Sequence, residues 1–387
     1  MIYLNNAATS WPKPDAVAQA MSVSLREPPP SDYRSTGSTN DILGDMLRRR
    51  LATLMNIPHP DRIFLSSGAT DSLNRLLTGL PLADKPVIVT ATEHNSVLRP
   101  IWNHPHLQRQ TAVIPCDEHG EVHPPAIEET LKKLANVAGG LLVLNHCSNV
   151  TGHIQDVKTT CRIAHSHSMM VLVDVSQSAG CTEVDAKGWD CDALVFTGHK
   201  ALLGPQGIGG YYLRPGITLT PLLYGGTGRN SSRLTYDDGD HEYEVGTPNT
   251  PGMAGLMAAV DFIIDHGVKH IGEKTRRLTH LLTNGLRAID SVTVYSPKSH
   301  DDIHTYTSQG PVVSFNIQGF TASDAGYILA NSYGIILRSG LHCSPMIHQH
   351  LGTANGGTLR ASLSVMNTED DVRALVDAVK ELTRNAK

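Results

Sequence analysis

Four short apolar runs in the first half of the chain end in polar, titratable residues. Val87–Ala91 leads into Thr92-Glu93-His94-Asn95, and Leu141–Asn145 into His146-Cys147-Ser148-Asn149. Val171–Val173 leads into Asp174, Ser176 and Gln177, and Ala193–Phe196 into Thr197-Gly198-His199-Lys200. Short runs rich in β-branched residues read as strands buried on both faces. Ligands of an open α/β sheet sit beyond the carboxyl ends of its strands, so these groups are expected to converge on one pocket.

Each group suggests a chemistry. Lys200 follows a strand through Gly198 and precedes the glycine-rich stretch Gly204-Pro205-Gln206-Gly207-Ile208-Gly209-Gly210, where backbone can approach a ligand closely. A lysine desolvated there loses basicity and becomes an imine-forming amine. Asp174, a carboxylate at the end of an apolar strand, needs a cationic partner, and a protonated pyridine nitrogen would serve. The turn Ser66-Ser67-Gly68-Ala69-Thr70 opens a helix and offers N–H groups and hydroxyls to a phosphate. His94 suits a position over a planar ring, where it could carry protons. Singly, each has a plainer reading: a surface lysine, a structural ion pair, a helix cap, a hydrogen-bonded histidine. Jointly they are the parts a pyridoxal-phosphate site needs.

The elements that must hold these residues follow from periodicity. Helices are expected over Asp15–Leu25, about Asp41–Met55 and about Asp71–Thr78, with a strand at Ile63–Leu65 and another at Gly209–Leu213. Strands alternating with helices make a mostly parallel sheet. Past about Asp261 the pattern turns α+β: a helix Lys269–Ile289, strands Val292–Tyr295 and Val312–Ile317, a helix Ala322–Tyr333 and a last helix Asp370–Arg384. A chain of 387 residues exceeds one ordinary core. We therefore expect a large domain over 15–255, a small one over 256–387, and residues 1–14 packed near the active site.

With 40% hydrophobic and 18% charged residues and a net charge of −5, acidic and basic residues being interspersed, the chain does not look built for nucleic acid. No apolar run approaches the roughly 18 to 20 residues of a membrane helix, and MIYLNNAATS lacks a basic stretch followed by an apolar one. Six cysteines, at 116, 147, 161, 181, 191 and 343, form no C-x-x-C pair, which suits a reducing, cytoplasmic compartment.

The text resembles the class V aminotransferase-like family, and within it the cysteine desulfurases and selenocysteine lyases. The likeness is carried by Tyr3-Leu4-Asn5-Asn6-Ala7-Ala8-Thr9, Glu93-His94-Asn95, Ser148-Asn149-Val150-Thr151-Gly152, Asp174 with Gln177, and Thr197-Gly198-His199-Lys200. Gly246-Thr247-Pro248-Asn249-Thr250 and Arg338-Ser339-Gly340-Leu341-His342-Cys343 extend it toward the C-terminus. The resemblance implies the pyridoxal-phosphate fold type I, with Lys200 as the Schiff-base lysine, His94 on the ring, Asp174 on the pyridine nitrogen and Gln177 on the phenolic oxygen. It implies a phosphate held by Ala69, Thr70, Thr197 and His199, with Gly246 and Thr247 contributed by a neighbouring subunit of a homodimer. Asn149, Arg360 and Arg338 fall on the substrate side, Arg360 as a fork for the carboxylate.

Cys343 separates this branch from ordinary aminotransferases: it would attack the substrate's sulfur or selenium, with the neighbours Arg338 and His342, cationic or able to become so, favouring the thiolate. Lys200 and His94 would carry protons. Two departures stand out. Leu341 occupies the place of a histidine in the second group of desulfurases, and Cys147 precedes the Ser-Asn pair where the family more often has a small residue. The short span from Cys343 to Arg360 resembles that second group, whose members often use a separate acceptor protein.

The leading expectation is a cysteine desulfurase acting on L-cysteine, with a lyase for L-selenocysteine as the nearest alternative. An aminotransferase or β-lyase, for which Cys343 is dispensable, is a further one. A metal-binding protein built on His342, Cys343, His348 and His350 is the remote reading; the leading one assigns no metal ligand.

Overall fold

The apolar runs assemble into a seven-stranded sheet of order β2-β8-β7-β6-β5-β3-β4. These strands are β2 (Ile63–Ser66), β3 (Val87–Thr90), β4 (Thr111–Ile114), β5 (Leu141–Asn145), β6 (Met170–Asp174), β7 (Ala193–Thr197) and β8 (Gly209–Leu213). In this computed structural model the described residues are 1–27, 42–82, 84–134, 136–226, 232–235, 243–297 and 308–385.

Strands β4, β3, β5, β6 and β7 run parallel, while β8 is antiparallel to both β7 and β2. Every residue of β3, β5, β7 and β8 is buried, as expected of a sheet covered on both faces. The shared direction of β3, β5, β6 and β7 brings their carboxyl ends to one edge of the sheet. Register tightens this: Asn145 lies opposite Asp174, and Asp174 opposite Val195.

A second, antiparallel sheet of order β12-β13-β10-β9 joins Arg338–Gly340, Thr358–Ser362, Val312–Ile317 and Val292–Tyr295. Its core takes Leu278, Leu282 and Leu286 from the helix Val268–Arg287, Leu329 from Ala322–Tyr333, and Leu375 and Val379 from Glu369–Asn385. Register sets Arg338 beside Arg360. Residue 255 falls within the helix Thr250–His266, whose Met253, Leu256, Ala259, Val260 and Ile263 belong to the core beneath the large sheet.

The N-terminal residues stitch the two units together. β1 (Ile2–Tyr3) pairs in parallel with β11 (Ile335–Ile336). Asn6 donates to Ser362 O at 2.9 Å, Ala7 N–H to Ser362 Oγ at 2.8 Å, and Ser10 N–H to His199 O at 2.8 Å. Among the described residues, no helix is long and apolar enough to cross a membrane.

Candidate active site

At the carboxyl edge of the large sheet lies a cavity of about 200 Å³. Its wall takes residues from all four strand ends, including His94, Asn149, Asp174, Gln177, Thr197 and Lys200. Burial pushes the Lys200 ammonium below its ordinary value; Asp174 opposes that shift, and Arg360 and Arg338 add to it. Asp174 is 7% exposed, and its Oδ1 accepts the Ser176 N–H at 2.8 Å. Gln177 donates its side-chain amide to Ala7 O at 3.0 Å.

His94 caps the helix Asn95–Asn103: its Nδ1 accepts the Ser96 N–H at 3.0 Å. Burial, then the cations Lys200, Arg338 and Arg360, push its pKa down to about 3. The ring is therefore neutral at physiological pH with its proton on Nε2.

The far end of the cavity is rich in unspent donors. The helix Ala69–Gly79 starts at Gly68 without a side-chain cap, and Gly68 takes φ +145°, a backbone that favours glycine. Gly68, Ala69 and Thr70 line the wall with Thr197 and His199. Among the described residues His199 Nδ1 and Ser176 Oγ are buried without a hydrogen-bond partner, and both residues face the same cavity. Buried polar atoms left unpaired mark a place where a ligand completes the structure. Gly246 and Thr247 stand elsewhere: both are exposed and neither lines the cavity.

Arg360 is 1% exposed. Its Nη1 donates to Asn149 O at 3.0 Å and its Nη2 to Asn5 Oδ1 at 3.2 Å, while Nε has no partner among the described residues. Burial, reinforced by Arg338, lowers its pKa to about 9, which leaves it a cation at neutral pH. Arg338 Nη2 donates to Cys343 Sγ at 3.1 Å.

The loop bearing Cys343 is strained and tied down. His342 (φ +51°) and Cys343 (φ +61°) are consecutive left-handed residues, a conformation that side chains with a Cβ resist. Asn149 Nδ2 donates to His342 O at 2.7 Å and its Oδ1 accepts from Ser344 Oγ at 2.8 Å. The Asn95 N–H donates to Cys343 O at 2.6 Å. The Asn149 carboxamide, expected from sequence to hold a substrate carboxylate, is thus engaged with the cysteine loop.

Two sequence expectations need correction. His342 is not a cationic neighbour of the thiol: burial, with the charge of Arg360 next, pushes its pKa down to about 2, and its Nε2 meets Thr358 Oγ1 at 3.0 Å. The positive charge at Cys343 comes from Arg338. Nor do His342, Cys343, His348 and His350 gather as ligands: His348 Nδ1 is taken by Thr353 Oγ1 at 2.7 Å, His350 is exposed, and no ligand cluster among the described residues includes the four. Cys147 lines the cavity, but burial holds its thiol far above the ordinary value, the state of a core cysteine.

Sequence reading gave no role to Glu93 or Asn5. Glu93 is fully buried; its Oε1 accepts from Thr90 Oγ1 at 2.7 Å and from the Asn145 N–H at 2.9 Å. Burial pushes its pKa up to about 8, so it is protonated at neutral pH. The available signal was a carboxylate placed directly after an all-apolar strand.

An aromatic aldehyde with a ring nitrogen and a phosphate arm uses the amine, the carboxylate, the neutral imidazole and the unspent donors together. Fold and site therefore define the class, a pyridoxal-phosphate-dependent enzyme. A family model described as Aminotransferase class-V matches residues 2–375, and the chain belongs to that family. It is 31% identical, over 98% of its length and 94% of the relative, to a probable cysteine desulfurase of Methanothermobacter thermautotrophicus. It is 29% identical to a cysteine desulfurase of Escherichia coli K12, over 99% of this chain and 94% of that one. Among solved structures, the apo cysteine desulfurase of Thermococcus onnurineus NA1 superposes with a TM-score of 0.84 at 29% identity, covering 99% of this chain and 95% of that one.

Proposed function

We propose that the chain is a cysteine desulfurase that converts L-cysteine to L-alanine and takes the sulfur onto Cys343 as a persulfide. The observation that carries this is the Arg338 guanidinium on Cys343 Sγ at 3.1 Å, in a loop fastened to the cavity wall through Asn149. A thiolate is the nucleophilic form of cysteine, and a fixed cation against the sulfur stabilises it. Relatives named as cysteine desulfurases along nearly the whole chain support the same substrate.

The residues present fit pyridoxal phosphate: Lys200 would supply the amine that attaches it, and His94, Asp174 and Gln177 would hold its ring, ring nitrogen and phenolic oxygen. Ala69, Thr70, Thr197 and His199 would hold the phosphate, joined by Gly246 and Thr247 of a second copy of the chain. When bound, the cofactor supplies an electron sink for the substrate carbon that loses its proton. Arg360 would hold the substrate carboxylate through the Nε that has no partner among the described residues, and the main-chain carbonyl of Asn149, which accepts from Arg360 Nη1, steadies that guanidinium. Lys200, its basicity reduced by burial, takes up and returns protons at the substrate carbons.

Cys343 Sγ forms a bond to the substrate sulfur as the carbon–sulfur bond breaks. The electron pair of the broken bond stays with the carbon fragment, which is protonated and leaves as alanine. One sulfur atom is transferred, with no outside oxidant or reductant. A persulfide must then be passed on, so an acceptor thiol, on a partner protein, completes the cycle. That both Gly246 and Thr247 are exposed away from their own cavity supports a homodimer with shared sites. Six unpaired cysteines support a reducing, cytoplasmic setting.

The test is alanine formation by the holoenzyme from L-cysteine and from L-selenocysteine, side by side with a thiol acceptor present. Turnover of cysteine is the expected result. Turnover of selenocysteine alone would make the chain a selenocysteine lyase and overturn the proposal.

A further inference from the structure

We infer that Asp117, Glu121, His123 and His153 form a binding site for a divalent cation of the zinc type, outside the wall of the candidate active-site cavity. In the sequence a metal-binding reading rests only on His342, Cys343, His348 and His350, and none of the present four residues is among them. Folding gathers ligand atoms of Asp117, Glu121 and His123 and packs the extended segment that carries His153 against their loop.

The loop that follows β4 is built around one carboxylate oxygen. Asp117 Oδ1 accepts the N–H groups of His119 at 2.8 Å and Glu121 at 2.9 Å, and the Asp117 N–H donates to Glu121 O at 3.0 Å. Against the cost of burial, those N–H bonds keep the Asp117 carboxyl below its ordinary range, so it is an anion. Its other oxygen is left for the His123 ring, whose Nε2 lies 3.2 Å from Asp117 Oδ2 and whose Nδ1 lies 3.3 Å from Glu121 Oε1. One ligating atom each from Asp117, Glu121 and His123 fall within 4.8 Å of one another, a spread that small rotations bring onto one ion. Gly120 (φ +81°) lets the turn press inward: a Cβ there would come within 2.5 Å of Thr151 Oγ1.

The independent observation is His153. It is 6% exposed, and its Nδ1 is buried without a hydrogen-bond partner among the described residues. Residues 153 and 154 both lie in β-bridges, so the backbone there is extended and side chains of equal parity share a side. Gln155, two residues on, grips the same loop: its Nε2 donates to Gly120 O at 2.7 Å and its Oε1 accepts the Val122 N–H at 3.0 Å. His153 accordingly faces the loop from beneath. Burial keeps its ring neutral, and the charges acting on it are those of Glu121, Asp117, His123 and His119.

Two carboxylate oxygens and two imidazole nitrogens are a donor set for zinc or a similar first-row ion. The exposed His123 side leaves an entry path. The calorimetric titration of the holoenzyme with ZnCl2 tests this. Wild type and Cys343→Ser are expected to bind one equivalent per chain, and Asp117→Asn and His123→Ala to bind at least tenfold more weakly. His123→Ala removes an exposed side chain, so it remains informative if the buried-site variants fail to fold. X-ray absorption of the zinc-loaded protein should show nitrogen and oxygen at about 2.0–2.1 Å with no sulfur. Absence of binding, unchanged affinity in either variant, or zinc lost with Cys343→Ser and coordinated by sulfur would overturn the assignment.

Discussion

Asn149 donates its side-chain amide to the carbonyl oxygen of His342, the residue before Cys343, at 2.7 Å, while Ser344 Oγ donates to its Oδ1 at 2.8 Å. One carboxamide thus holds both flanks of the reactive cysteine. Removing it leaves polar groups unpaired beside a strained turn, a cost of about 1–3 kcal/mol. Asn149→Ala is expected to lower kcat at least tenfold while the bound-cofactor absorbance is retained. Unchanged kcat would mean that the clamp plays no part in turnover.

The Arg338 contact to Cys343 is worth testing apart from catalysis. A hydrogen bond involving a charged group contributes about 1.5–3 kcal/mol, which corresponds to a change of about ten- to a hundredfold in rate. Arg338→Gln should slow alkylation of Cys343 by iodoacetamide at neutral pH by such a factor and lower kcat/KM with it. Equal alkylation rates in variant and wild type would assign activation of the thiol to another group.

Glu93 carries a pH signature. Its pKa in the folded chain, about 8, lies above an unfolded value of about 4.3, so its contribution is complete below the unfolded value and is lost as pH rises toward 8. Glu93→Gln keeps the shape without the charge. Its stability relative to wild type should increase steadily from pH 5 to pH 8, by a total on the order of 4 kcal/mol. Denaturation curves showing no pH-dependent difference would place Glu93 in a more polar setting than the buried one described here.

Three histidines act on the other limb. His94, His146 and His342 are held neutral by burial, with folded values of about 3, 4 and 2. These lie below an unfolded value of about 6.5, so their contribution is present above that value and is lost as pH falls through the window toward 4. Each can supply up to about 1.4 kcal/mol per pH unit. Calorimetric unfolding between pH 6.5 and 4.5 should show proton uptake and falling stability; a flat profile would contradict their neutrality.

The strand-end residues were legible because buried parallel strands are apolar throughout, so a titratable residue at their ends stands out. Lys200, Asp174 and His94 were found that way. The edge strand Thr111–Ile114 was not: partly exposed, with Val113 39% exposed, it lacks the apolar signature of its neighbours. The strand Thr358–Ser362 was hidden for the opposite reason. It is buried throughout, yet it carries Thr358, Arg360 and Ser362, whose polarity is met by contacts to His342, to Asn149 and Asn5, and to the N-terminal backbone respectively. Pairings across 193 residues and more cannot be read from local periodicity. For the same reason the grip of Asn149 on the cysteine loop is not legible in the sequence.

The most direct test of the account follows the sulfur itself. Holoenzyme is incubated with L-cysteine without an acceptor, alanine is measured, and peptides are examined by mass spectrometry before any reductant is added. One additional sulfur atom on the Cys343 peptide, in proportion to a first turnover's alanine and absent from the Cys147 peptide, is the predicted result. Alanine formed at the wild-type rate by Cys343→Ala, or the added sulfur on Cys147 instead, would contradict it.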